Sequence, residues 1–230
     1  MHPFVYILLL VLFFYLGWRF LHDQKIAKTR RLLFFDDCLP LFEDYKITQT
    51  LSGYPELTGS YNKKTVRLEL IVDTTAFRKL PSLWLVVSLN SPLQLKGTID
   101  YLVRPDNTEF YSPAWLLPLS LPVPETWLQH AILRAEGVDS ELWVDRVRQM
   151  IPLLFEDTHM KELTMGHNGV RLVCQAKEAS RASYTTMRYV NFDQSRLDAG
   201  FVRNLIEWSI RIHSELEQAG VVHEDQYKYA

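Results

Sequence analysis

The stretch TVRLELIVD, residues 65–73, decides the fold, because here the hydrophobic period becomes two. Val66, Leu68, Leu70 and Val72 alternate with Arg67, Glu69, Ile71 and Asp73, the pattern of a half-buried strand. Upstream, YPELTGSY (54–61) pairs with it across a turn at Asn62-Lys63-Lys64. Downstream, SLWLVVSL (82–89) is apolar throughout, as a central strand requires. GTIDYLVR (97–104), closed by a Pro-Asp-Asn turn, and QHAILRAE (129–136) supply two more strands. KELTMGHNGVRLVCQA (161–176) reads as a hairpin turning on Asn168-Gly169, and RASYTTMRYV (181–190) as a further strand.

Two segments break this period. VDSELWVDRVRQMI (138–151) places Trp143, Val147, Met150 and Ile151 at helical spacing, with Asp139 or Ser140 as N-cap and Pro152 ending or kinking the helix. SRLDAGFVRNLIEWSIRIHSELEQAG (195–220) carries one apolar stripe, Phe201, Leu205, Trp208, Ile212 and Leu216. Ser195 with Asp198 resembles a capping box, and Gly220 fits the position after the last turn. Runs of strands joined by short turns predict an antiparallel sheet with two helices packed on it, an α+β domain. VRLEL (66–70) and VRLVC (170–174) share a strand-after-turn position and hint at two sheet–helix sub-units, 51–157 and 158–222.

The N-terminus obeys a different rule. PFVYILLLVLFFYLGWRFL (3–21) is uncharged until Arg19, and about 20 apolar residues cross a hydrocarbon core. Tyr6, Tyr15 and Trp18 suit the two interfaces. A cleaved signal peptide would carry a basic n-region and a small-residue cleavage site, and this segment has neither. Residues 1–22 therefore read as a single transmembrane anchor. Arg19, Lys25, Lys28, Arg30 and Arg31 follow the span, which places the N-terminus outside and the rest in the cytoplasm. The same cations can lie on anionic headgroups. Residues 23–50 are expected to form a juxtamembrane helical stalk that Pro40 ends or kinks, with Asp36, Asp37, Glu43 and Asp44 on a solvated or lysine-paired face. The α+β domain then spans 51–222, and 223–230 form a tail.

Composition excludes more than it assigns. With 47% apolar and 23% charged residues, the chain is neither disordered nor fibrous, and a net charge of −2 gives no electrostatic footprint for nucleic acid. Cys38 and Cys174 are too few and too far apart for a disulfide framework, and Cys174 on its strand reads as a small core residue. Phosphate-binding glycine loops, nucleophile elbows, H-x-x-x-H and C-x-x-C are all missing. His159 with Glu156 and Asp157 reads as a polar loop rather than a metal site. Arg78 and Lys79, before Leu80, Pro81, Leu83 and Trp84, read as a loop entering a strand, with the membrane surface as the alternative. No cofactor, metal or catalytic residue is assigned.

One segment stands apart. YSPAWLLPLSLPVPET (111–126) is a loop by its four prolines yet rich in Leu, Val and Trp. Three readings are open: it closes the core over the end of the sheet, it docks a protein partner, or it touches the bilayer. Its contact candidates are Trp115, Leu116, Leu117, Leu119, Leu121 and Val123. The sequence thus predicts a membrane-anchored accessory, scaffolding or assembly protein with a protein partner. The rival is a carrier or enzyme for an apolar ligand, held between the sheet and the C-terminal helix. A packed helix face favours the first, and a lined cavity the second.

Overall fold

The computed structural model describes residues 3–50, 53–75, 80–94, 96–137, 140–187, 190, 192 and 196–228. Helix α1, Pro3–Leu32, runs without a break into a 3-10 helix, Leu33–Leu41. The strands β1 (Tyr45–Gln49), β2 (Pro55–Tyr61), β3 (Lys64–Asp73), β4 (Ser82–Asn90), β5 (Thr98–Val103), β6 (Leu119–Leu121), β7 (Ala131–Glu136), β8 (Met160–Gly166) and β9 (Gly169–Glu178) form one antiparallel sheet in the order β1-β2-β3-β4-β9-β8-β5-β7-β6. Helices α2 (Ser140–Val147), α3 (Met150–Leu154), α4 (Arg181–Met187) and α5 (Ala199–Lys228), with a short 3-10 turn at Pro113–Trp115, complete the described elements. The architecture is α+β, as the period-two stretches predict.

The 65–73 alternation sets the two faces of the sheet. Val66, Leu68 and Leu70 are buried on the core face with Leu83, Leu85, Val87 and Leu89 of β4. Helix α5 lies across β4 and β9 on this face and packs against α2 and the 3-10 helix. The VRLEL and VRLVC segments flank β4 in matching register: Val66 and Val170 both face Leu89, and Leu68 and Leu172 both face Val87. Strands β8 and β9 sit between β4 and β5, so one continuous sheet runs through both of the expected sub-units.

Turn chemistry explains the register. Asn62 and Lys63 both take positive φ, 49° and 62°, which matches the right-handed twist of a two-residue hairpin. In the second hairpin the loop residues are His167 and Asn168, and Gly169 opens β9 at φ 124°. A Cβ on Gly169 would meet the Leu89 carbonyl oxygen at 2.0 Å, so only glycine fits there.

Four expectations need correction. Residues 181–187 of the expected strand 181–190 form helix α4. Strand β9 already has β4 and β8 as neighbours, so the chain leaving it finds no free edge, and Ala182 to Thr185 show no buried alternation. Of the two roles open to Pro152, termination fails: it lies inside α3, in a first turn where the missing N–H costs little, and the helical segment is interrupted just before it, between Val147 and Met150. Gly220 is not a C-terminal cap, since α5 continues to Lys228 through most of the expected tail. The segment 23–50 is no free stalk beyond Leu32: Phe34, Phe35, Cys38 and Phe42 are buried, and 45–49 form edge strand β1. A 3-10 helix repeats every three residues, so Phe35, Cys38 and Leu41 stack on one side, and no 3.6-residue period is visible. Asp36 and Asp37 pair with Arg196 rather than with lysine.

The buried stripe of α5 is turned by about one residue from the expected one. Val202, Leu205, Ile206, Ser209, Ile212, His213 and Leu216 are buried, while Phe201 and Trp208 are half-buried at its flank. Asp198 caps the helix by accepting from the Phe201 N–H at 2.7 Å. Ser195, Asp139 and the pair Arg78-Lys79 lie outside the described residues.

Candidate functional site beneath the proline-rich loop

Alternation places a second set of side chains on the opposite face of the sheet: Trp84 and Val86 of β4, Asp100 and Leu102 of β5, Arg134 of β7, Glu162 and Thr164 of β8, and Arg171 and Val173 of β9. A solvated face would carry such polar groups at no cost. Here residues 104–118 fold across it, and Asp100 and Glu162 become fully buried. The tract therefore covers the face of the sheet opposite α5.

The loop is tied down by ion pairs and by packing. Lys161, in a bulge of β8, reaches Glu109 Oε1 at 2.7 Å and the Arg104 carbonyl at 2.7 Å, 6.0 Å from the Trp84 ring centroid. Glu109 also accepts from the Asp106 and Thr108 N–H groups. Arg104, held at φ 49°, donates to the carbonyls of Thr158 and Met160. Tyr111 packs against Trp84, with ring centroids 5.8 Å apart. Arg171 donates to the Tyr111 carbonyl at 3.2 Å and to Glu162 Oε2 at 2.6 Å, and the Ser112 side chain lies beside Glu162.

At the centre lie two carboxyl groups. Thr164 donates to Asp100 Oδ1 at 2.6 Å, while Asp100 Oδ2 and Glu162 Oε1 have no donor from any other described residue. Asp100 pairs with Thr164 across the strands, and Glu162 lies two residues along β8 on the same face, so the two carboxyls are diagonal neighbours. Burial, and next the charge of Glu162, hold the Asp100 carboxyl well above the usual carboxylate range. Burial also raises Glu162, against the opposing pull of Arg171. Arg171 pairs with Glu162, so the upward displacement is the greater at Asp100. Burial pushes the Tyr111 phenol up as well, which keeps it protonated.

A polar cleft of about 660 Å³ opens beside this cluster, lined by Asp73, Ser82, Trp84, Arg104, Lys161 and Arg181 among others. It lies at the end of the sheet that α1 joins, where Arg31 sits over the Tyr54 ring at 5.0 Å and Lys177 over Phe34 at 5.6 Å. Asp73 is already engaged by Thr75 and Trp84. Among the described residues no group of three or more His, Cys, Asp or Glu is placed to hold a metal ion.

The residues singled out from sequence are divided by the structure. Leu117 is buried, and Leu121 and Val123 are half-buried against the core. Trp115, Leu116 and Leu119 are exposed, Leu116 by 86%. Leu119 and Leu121 lie on β6, an edge strand bracketed by Pro118 and Pro122. Arg19 pairs with Asp23 at 3.1 Å, Lys25 and Arg30 are exposed, and Arg31 is half-buried on Tyr54; the Lys28 side chain lies outside the described residues. Asp100, Glu109, Lys161 and Glu162 were not marked by any motif. The available signal was indirect: a greasy tract needs a surface to cover, and β5 and β8 carry charges on their second face.

The exposed helix α1 contains an 18-residue window, Tyr6–Asp23, long and apolar enough to cross a membrane and with none of it buried. No family model matches the chain, and neither the curated proteins nor the solved structures contain a match.

Proposed function

We propose that this chain is a single-pass membrane protein, N-terminus outside, whose α+β domain faces the cytoplasm and docks a protein partner as an accessory, scaffolding or assembly subunit. The observation that carries the reading is α1. Its apolar side chains from Phe4 to Leu21 are exposed wherever described, yet the helix runs unbroken into a 3-10 segment buried in the domain core. A helix apolar on all sides needs a covering medium, and a rigid junction fixes the domain relative to it.

The docking surface in this reading is the exposed part of the tract: Trp115, Leu116 and Leu119. These residues belong to the β6 side of the sheet, whereas the anchor joins near β2, seven strand steps away. At about 4.8 Å per step that separation favours a protein partner over the bilayer. The apolar-carrier alternative draws no support from α5, because Val202, Leu205, Ile206 and Ile212 fill the space against the sheet with at most 2% exposure.

Topology is tested by a reporter fused after Ala230; periplasmic or luminal activity overturns the orientation. Docking is tested by a photo-crosslinker at Leu116 in intact membranes. A discrete protein adduct lost in the L119S variant supports the reading. Lipid adducts alone, or none, refute it.

A further inference from the structure

The charges beneath the loop do not balance. Two fully buried carboxyls, Asp100 and Glu162, share one contacting cation, Arg171. Two other nearby groups, Lys161 and Asp73, are committed elsewhere. Lys161 is paired with Glu109, and Asp73 accepts from Thr75 and Trp84. Arg134 lies opposite Asp100 on β7 with its buried Nε unbonded, and Asp100 Oδ2 receives no hydrogen bond from it. Tyr111 is a neutral phenol there.

Hydrogen bonding gives the same count. Thr164 satisfies Asp100 Oδ1, and Arg171 satisfies Glu162 Oε2. Asp100 Oδ2 and Glu162 Oε1 are left facing each other's carboxyl without a donor. One proton on Asp100 satisfies both, and two anions there would satisfy neither. The loop is fastened to the same groups, by the Tyr111 carbonyl on Arg171, with Ser112 beside Glu162. We infer that Asp100 and Glu162 form a single-proton latch, and that loss of this proton lifts the 104–118 loop from the sheet and uncovers its second face.

With the proton in place, Asp100 donates to Glu162 Oε1, and Glu162 keeps Arg171 and Ser112 in position. Without it, two adjacent anions in a dry site repel, and they regain hydration only if water enters where the loop lies. Lifting the loop also releases the Tyr111 contact with Trp84 and widens the polar cleft that Trp84 lines. Access to the cleft is thereby coupled to proton occupancy.

The test is amide hydrogen exchange of the full chain in mild detergent between about pH 5 and about pH 9, corrected for the intrinsic pH dependence of exchange. The reporters are the Ser112 and Ala114 amides, bonded in the closed loop to the Glu109 carbonyl and the Ser112 hydroxyl. One released proton makes protection fall about tenfold per pH unit above the titration point, while the Val86 and Val173 amides in the sheet stay unchanged. Asp100→Asn keeps a donor for Glu162 and cannot lose it, so its loop stays protected across the range. Glu162→Gln removes one charge and also flattens the profile. A flat profile in the parent overturns the latch, and so does an Asn variant with the parent's slope. Should the Asn variant not fold, the infrared carbonyl band of a protonated carboxylic acid in the parent decides. The band must be present at neutral pH and vanish as the loop opens, and its absence at neutral pH refutes the proposal.

Discussion

The division of the proline-rich tract into inward and outward residues makes a quantitative prediction from two adjacent leucines. Leu117 is 8% exposed and Leu116 is 86% exposed, although sequence alone treats them alike. Leu117→Ala removes most of a buried side chain and leaves a cavity between the loop and the sheet. Buried Leu→Ala changes cost about 2–5 kcal/mol; the loop can settle partly into the space, which points to the lower half, about 2–3 kcal/mol. Leu116→Ala touches almost nothing and should stay within about 0.5 kcal/mol. For a chain of this size, 1 kcal/mol moves the melting temperature by about 2–4 °C. The L117A protein should therefore melt about 4–12 °C lower and L116A within about 2 °C of the parent. Thermal unfolding followed by tryptophan fluorescence in one mild detergent measures both. Equal losses would mean that both side chains pack in solution, and a neutral L117A would mean that the loop does not cover the sheet.

Three further outcomes follow from the same structure. Lys161→Met leaves Glu109 buried and unpaired at 2% exposure, so urea titration should show a loss of about 3–5 kcal/mol, much of it recovered in the double variant that also carries Glu109→Leu. His213 is buried with Nε2 donating to the Ser91 carbonyl and Nδ1 near Lys64, and burial, then the Lys64 charge, lower its pKa. Its contribution is intact above the unfolded value of about 6.5 and is lost as pH falls below it, since the unfolded chain takes up the proton first. A His213→Gln variant should remove that slope from acid denaturation curves, and an unchanged slope would place it elsewhere. On α5, Ile206→Ala should cost about 2–5 kcal/mol by chemical denaturation, more than Trp208→Ala, because Ile206 is wholly buried and Trp208 lies at the flank beneath Arg211.

The parts of the fold legible in sequence are those with one clear period and one clear punctuation. The 65–73 alternation, the Asn62-Lys63 turn and the apolar run at 82–89 lead to the sheet without tertiary information. Residues 33–42 were illegible because a 3-10 helix presents its buried side every three residues. Residues 181–187 misled because Tyr184, Thr185 and Thr186 favour strands, and their helix is imposed by a sheet with no vacancy beside β9. The buried α5 stripe is displaced from the one that the large residues Phe201 and Trp208 mark, because small Ser209 and polar His213 face the core. The acid pair under the loop was hidden for a simple reason. A charged residue alternating with apolar ones in a strand reads as solvent-facing, and only the loop crossing above it reverses that reading.

Why a loop of this composition suits such a surface follows from backbone hydrogen bonding. A segment laid over a sheet face is shielded from water on one side and, unlike a strand in the sheet, has no ladder to receive its N–H groups. Each proline in 111–126 removes one of those donors outright. The remaining polar groups near its start find specific partners: the Ser112 N–H on Glu109, the Ala114 N–H on the Ser112 hydroxyl and the Tyr111 carbonyl on Arg171. With the backbone provided for, apolar side chains such as Ala114 and Leu117 can fill the gap above β5 and β7. The charged residues below then serve as attachment points rather than as a hydrated surface. The tract is greasy because it covers the sheet and rich in proline because it pairs with only one strand, β7, over three residues. That combination also makes it separable: few ladder bonds hold it, so the Lys161–Glu109 pair and the Asp100–Glu162–Arg171 group carry a disproportionate share of its attachment. Changes that remove the Glu109 or Arg171 contacts should mobilise the loop before they unfold the sheet, whereas changes in Leu68 or Leu85 of the opposite face should unfold both together.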